Sequence, residues 1–237
     1  MSRGHTELLS KLPCTHAFLQ FYFCNGRGSC ALIGITNILR FAMKQVKKTR
    51  CAWVNNDPLY IDYHDHEWGI PISDDRLLFE FLILEGMQAG LSWITILKKR
   101  ENYRSCFNYF DAEIISKYDQ DQINILLKNP GIIRNKLKIQ AIITNAKIFL
   151  EVKKEWTSFS NYIWHFTEGR SIKNHWKNSK QVPTTTDISD AMSKDFKKRG
   201  FKFVGSTICY AFMQAVGMVN DHTTNCFCYQ DSSKISV

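Results

Sequence analysis

From Ser73 onward, apolar residues recur at spacings of three and four, and nowhere do they alternate over a run long enough to build a sheet. That periodicity selects the helix as the unit of folding. Leu77, Leu78, Phe81, Leu82 and Leu84 follow a capping Ser73 or Asp74 and predict a helix to about Ala89. Another starts near Ser92, and two short ones lie between Ile114 and Leu127, stopped at Asn129-Pro130-Gly131. Ile139, Ile142, Ile143, Ala146 and Leu150 share one side of a longer helix over 136–152. Further helices are predicted over 157–166, over 187–198 with a glycine stop at Gly200, and over 206–219. The polar stretch 168–184 reads as a surface connection, and the predicted class is all-α.

A chain of 237 residues supports one substantial core, and residues 1–49 differ in character from the rest of the chain. They mix Cys, Gly and aromatics without helical period and end in a basic run from Lys44 to Arg50. We treat 1–49 as an extension, 50–230 as the working domain and 231–237 as a tail; Met43 is an alternative translational start. The formal charge of +9 is concentrated in that extension, because eight of the 31 basic residues but only one of the 22 acidic ones fall within the first fifty positions. Global charge is therefore weak evidence for a polyanionic partner, and local clusters must carry it. The eight cysteines are irregularly spaced in a chain too large to need disulfides, which fits a reducing, cytoplasmic setting. No stretch is long and apolar enough for a membrane span, and no export signal is legible.

Glu85 falls seven residues after Leu78, four after Phe81 and three after Leu82, on their apolar face. A carboxylate placed there must be paired, protonated or used in a pocket. The competing reading is a side chain that curls to water beside Gly86. Around it in sequence stand Trp53, Tyr60, Tyr63, Trp68 and Trp93. Each ring alone is ordinary core, but flat rings near a buried acid are what an extruded nucleobase requires.

Cys51, His64, His222 and Cys226 form a second constellation. Two soft pairs fit tetrahedral zinc, with His222 and Cys226 one helical turn apart, although Cys228 and His66 are competing ligands. One zinc held by all four would be structural and would join the two ends of the domain. A third element runs LLKNPGIIRNKLKIQAIITNA from Leu126 to Ala146: helix, Pro-Gly turn at Gly131, then a helix with Arg134, Lys136 and Lys138 at its mouth. A helix-hairpin-helix of this kind can aim backbone N–H groups at a DNA phosphate, with sequence-blind attraction from the basic side chains. An ordinary solvated helix pair has the same pattern.

The blocks RCAWVNNDPLYIDYHDHEWGIP, LEGMQAGLSWITILKKRENYR, GIIRNKLKIQAIITNA, KKRGFKFVGSTICYAFMQAVGMVNDH and HTTNCFCY, in that order, resemble the 3-methyladenine DNA glycosylase I family from Cys51 to Tyr229. The resemblance implies a helix-hairpin-helix DNA glycosylase fold and a bound zinc on Cys51, His64, His222 and Cys226. It implies that Glu85 reads the methylated adenine, helped by Tyr63 and by the rings of Trp53, Tyr60, Trp68 and Trp93. The Gly90-Leu91 neighbourhood corresponds to a loop that probes the DNA stack. The expected activity is monofunctional hydrolysis of the N-glycosidic bond in alkylated double-stranded DNA, leaving an abasic site, with Glu85 as the candidate catalytic carboxylate that either stabilises positive charge on the sugar or only grips the base. No protein partner is expected, and the chain should act as a monomer. Two rival readings are a zinc-dependent hydrolase and a non-catalytic binder of alkylated DNA.

Overall fold

The computed structural model describes residues 48–229. The expectations for the extension before Lys48, including Met43, and for the tail 231–237 lie outside the described residues. Ten α-helices are present among the described residues: α1 (Pro58–His66), α2 (Asp75–Gln88), α3 (Trp93–Leu97), α4 (Arg100–Cys106), α5 (Ala112–Ile115), α6 (Gln120–Lys128), α7 (Lys136–Trp156), α8 (Phe159–Trp164), α9 (Asp187–Arg199) and α10 (Ser206–Ala215). The mostly helical class is therefore as the periodicity requires. The exception is a two-residue parallel ladder, β1 (Ile172–Lys173) against β2 (Val219–Asn220), too short to leave an alternating pattern.

The core is organised around α2. Every residue from Leu78 to Met87 is buried, so this helix is apolar nearly all round and packs against α3, α7, α8 and α10. Asp74 caps it by accepting a hydrogen bond from Leu77 N–H at 2.7 Å. Two glutamates are buried within it. Glu80 is neutralised by Arg100 at 2.5 Å and Arg104 at 2.8 Å, whereas Glu85 meets no cation among the described residues.

Two boundaries depart from the periodicity for identifiable reasons. Helix α1 has no counterpart in the apolar pattern, because its buried residues, Tyr63 and His64, are polar-tipped and give little apolar stripe. Its start is nonetheless marked by Asp57 as N-cap and Pro58 in the first turn. Helix α10 stops at Ala215 rather than continuing to 219, because Gly217 has φ +73° and the chain presses on its neighbour there. A Cβ on Gly217 would sit 2.3 Å from Pro71 N and 2.4 Å from Ile70 C, so only glycine lets these backbones approach.

The stretch 168–184 is anchored more firmly than a surface connection. Asp221, itself buried, accepts hydrogen bonds from Asn174 Nδ2 (2.7 Å) and Trp176 Nε1 (2.8 Å) of this stretch and from Tyr210 Oη (2.6 Å) and Gln214 Nε2 (2.7 Å) of α10. No helix among the described residues is long and apolar enough to cross a membrane.

Candidate active site

A cavity of about 390 Å³ opens between α1, the end of α2, the start of α3 and the 179–183 stretch. Trp53, Tyr60, Tyr63, Trp68, Glu85 and Trp93, singled out from sequence, all line it. Their rings touch: Trp53 lies 5.5 Å from Tyr60 and 5.0 Å from Trp68, both edge-on, and Tyr63 lies 5.3 Å from Trp93. Cys51 lines it as well, and the rest of the wall, among it Gln88, Ala211, Gln214 and Asp221, is absent from the sequence-derived set. These residues come from segments distant in the chain, so no local pattern in the sequence marks them.

Glu85 reaches this cavity from the apolar face of α2 and is 3% exposed. Its Oε2 has no hydrogen-bond partner, and burial pushes its pKa up to about 8. Trp93 Nε1 is the other buried side-chain polar atom among the described residues that lacks a partner. The same wall thus presents one unused carboxyl oxygen and one unused N–H. A buried polar atom left unpaired costs free energy, so a pair of them facing a cavity is a site for a polar ligand. Burial and the nearby Glu85 also hold the Tyr63 hydroxyl well above the ordinary phenol range, so it is a neutral hydrogen-bonding group.

Behind the ring wall, Cys51, His64, His222 and Cys226 are all buried, with their donor atoms within 4.8 Å of one another. Cys51 Sγ is 3.5 Å from His222 Nδ1, and Cys226 Sγ is 3.4 Å from His64 Nε2 and 3.5 Å from His222 Nδ1. Donors placed about 2.0–2.3 Å from one ion in a tetrahedron stand roughly 3.3–3.8 Å apart, so the set fits a metal. The outer atoms fit too. His64 Nδ1 donates to Asp65 Oδ1 at 2.8 Å, Asp65 is gripped by both ends of the Arg50 guanidinium, and His222 Nε2 lies 3.2 Å from the Trp68 carbonyl. Each imidazole therefore presents a lone pair toward the thiols. Hydrogen bonds from Cys228 and Cys51 hold Cys226 below the ordinary thiol range, while the same contact and burial raise Cys51, so the two thiols share one negative charge that sits on Cys226. Of the competitors, His66 is exposed and pairs with Asp62, while Cys228 falls in a separate group with His64 and Asp65.

The cavity and the cluster share a wall. Trp53 lies 5.3 Å from the His64 ring and Trp68 4.7 Å from His222, both edge-on.

A family model described as methyladenine glycosylase matches residues 53–229. The chain belongs to this family. The methyladenine glycosylase match spans the ring wall, Glu85 and three of the four Cys/His residues, leaving Cys51 just outside it. The chain is 52% identical over 180 residues to DNA-3-methyladenine glycosylase 1 of Escherichia coli strain K12, covering 76% of this chain and 96% of that one. A crystal structure of a 3-methyladenine DNA glycosylase I superposes with a TM-score of 0.75 at 55% identity, over 76% of this chain and 99% of that one. Another such enzyme, solved in complex with 3-methyladenine, matches with a TM-score of 0.73 at 35% identity, over 75% and 96% of the two chains.

The residues that the sequence nominates for DNA contact form two groups. Gly90 has φ +78°, which turns the chain directly after α2, and next to it Leu91 is 41% exposed, a large apolar side chain in water. Helices α6 and α7 pack against each other on either side of the Pro130–Gly131 turn. A Cβ at Gly131 would lie 2.8 Å from Asn102 Cγ and 2.9 Å from Asn129 Oδ1, so a larger residue at the turn would have to displace these two side chains. Arg134 and Lys136 are exposed at the mouth, but Lys138, expected beside them, turns inward and is buried. The helical turn between Lys136 and Lys138 rotates them onto different faces, and the amine of Lys138 bonds to the Met87 and Ala89 carbonyls rather than standing in solvent.

Proposed function

We propose that this protein is a DNA-3-methyladenine glycosylase that hydrolyses the N-glycosidic bond of 3-methyladenine in alkylated DNA and leaves an abasic site. The observation that carries the reading is Glu85: an unpaired, buried carboxyl facing a ring-lined cavity, in a chain about half identical to named glycosylases. Residues 50–230 form the working domain, and the chain acts as a monomer on double-stranded DNA.

N3-methylation makes adenine cationic in DNA, so the base is already a good leaving group and the protein's task is mainly selection. The lesion stacks poorly and is swung out into the cavity enclosed by the rings of Trp53, Tyr60, Tyr63, Trp68 and Trp93. Glu85, Tyr63 and the Trp93 N–H bond to its edge. As the C1′–N9 bond breaks, its electron pair leaves with the purine, which becomes neutral. Water adds its oxygen to C1′, and the proton it sheds goes to solvent. Glu85 gives its proton to solvent as the cationic base enters, and the resulting carboxylate stabilises the positive charge that passes onto the sugar. Leu91 fills the gap in the stack, while Gly131, Arg134 and Lys136 hold the phosphates.

Cys51, His64, His222 and Cys226 would hold one zinc. With four protein donors it would be structural, tying Cys51 and α1 to the segment after β2, and would take no part in the reaction.

The test is release of 3-methyladenine from a methylated duplex under single-turnover conditions. Stoichiometric free base with an intact abasic strand is expected; tight binding with no released base would leave only a damage binder. The phosphate grip has its own signature. Replacing Arg134 by Ala should weaken duplex binding for damaged and undamaged DNA alike and reduce the slope of log K against log salt by about 1. An unchanged slope would remove Arg134 from the interface.

A further inference from the structure

We propose that Lys138 is a positioning residue that ties the phosphate-gripping hairpin to the turn carrying Leu91, so that seating the hairpin on DNA sets the wedge. The inference rests on the glycosylase reading above. Lys138 stands in the first turn of α7, directly after the hairpin, where its backbone N–H donates to the capping Asn135 Oδ1 at 3.1 Å. Its side chain leaves the basic mouth and crosses to the end of α2. There Nζ donates to the Met87 carbonyl at 2.7 Å and to the Ala89 carbonyl at 2.8 Å.

This contact is costly for an ordinary helix end. Lys138 is 6% exposed, and burial lowers its pKa with no carboxylate among the causes. Neutral carbonyls alone compensate the ammonium, together with the Phe203 ring 6.0 Å away. Helix α2 carries no basic residue in its own last turn, so the cation that answers its C-terminal dipole comes from α7. The two carbonyls bracket the last step before the wedge: Ala89 is the C-cap, Gly90 turns at φ +78°, and Leu91 N–H donates back to the Gln88 carbonyl at 2.6 Å. Glu85 lies one turn earlier on the same helix, and Trp93 opens the next. One amine thus fixes the turn between the two groups that line the cavity and the residue that enters the stack.

Lys138→Met and Lys138→Arg are to be compared with the parent full-length chain in three assays. These are tryptophan quenching by free 3-methyladenine, single-turnover release from a methylated duplex, and fluorescence of 2-aminopurine placed beside a stable abasic analogue. In Lys138→Met, release from duplex should slow by about 10- to 100-fold and the 2-aminopurine signal should fall. Free-base affinity should stay within about threefold of the parent. Lys138→Arg, which retains charge and donors, should recover part of both duplex signals. Unchanged release and unchanged 2-aminopurine fluorescence would overturn the proposal. So would a parallel loss of free-base binding and melting temperature, which marks a structural residue alone. If the methionine variant does not fold, the arginine variant is read in the same way, with a smaller loss expected. A parent chain that opens the stack but releases no base would defeat the glycosylase reading and leave the wedge coupling standing.

Discussion

Glu85→Gln is expected to lower the rate of base release by about 100-fold or more while making the folded protein more stable at alkaline pH. The two effects have one cause. Burial without a counter-charge displaces the Glu85 pKa from 4.5 to about 8. Below pH 4.5 the group is protonated in both the folded and the unfolded chain and carries no penalty. Between pH 4.5 and about 8 the unfolded chain gives up this proton and the folded chain keeps it, so stability falls as pH rises. Above about 8 the carboxyl is ionised in both states and the loss is complete. At roughly 1.4 kcal/mol per unit, this amounts to a few kcal/mol at alkaline pH. The amide cannot ionise, so urea unfolding of the Gln variant should show this part of the pH dependence removed and a melting temperature several degrees above the parent at about pH 9. Binding of a cationic purine is the natural compensation for such a group: the incoming charge turns a destabilising site into an ion pair. A Gln variant that releases base at the parental rate would dismiss Glu85 from the reaction. Parallel pH profiles of stability would show that the carboxyl is hydrated after all.

The legibility of this molecule divides along a physical line. Helix periodicity records packing against a core, so α2, α7 and α10 are readable, and Glu85 stands out because it breaks the stripe it lies in. Helix α1 is not readable, since Tyr63 and His64 are buried for the cavity and the Cys/His cluster rather than for a greasy face. The 168–184 stretch gives no local signal either. It is held by bonds from Asn174 and Trp176 to Asp221, 47 and 45 residues further along the chain, and no window of sequence encodes such a contact. Spacing nominates Cys51, His64, His222 and Cys226 but does not decide between them and Cys228 or His66; the fold brings the donor atoms of the four within 4.8 Å of one another and places Cys228 in a second group with His64 and Asp65. Lys138 shows the opposite failure, in which a basic residue in a basic run is read as solvated although it is drawn inward by the carbonyls at the end of α2.

Cys226→Ser is expected to reduce bound zinc, melting temperature and affinity for free 3-methyladenine together. Cys51 and His64 lie at one end of the domain, His222 and Cys226 at the other, so an ion held by all four closes a loop spanning nearly the whole domain. Metal binding at such a site is folding free energy, because the unfolded chain has no preformed cluster. Loop closure adds to this, although only logarithmically with length. The domain also has an extensive core of its own, so the loss should not unfold it outright. A cost of about 3 kcal/mol or more is reasonable, which lowers the melting temperature by roughly 10 °C in a domain of this size. The effect on base affinity comes from the shared wall: Trp53 and Trp68 pack edge-on against His64 and His222, so loosening the imidazoles releases two rings of the cavity. Two controls separate this from general weakening. Thr186→Ala removes the capping box of α9 and should cost about 1 kcal/mol while leaving base affinity unchanged. Cys228→Ser removes the neighbouring thiol outside the four-residue set and should leave zinc content at one ion per chain. A Cys226→Ser protein that retains both its zinc and its melting temperature would show that the ion, if bound, is held elsewhere.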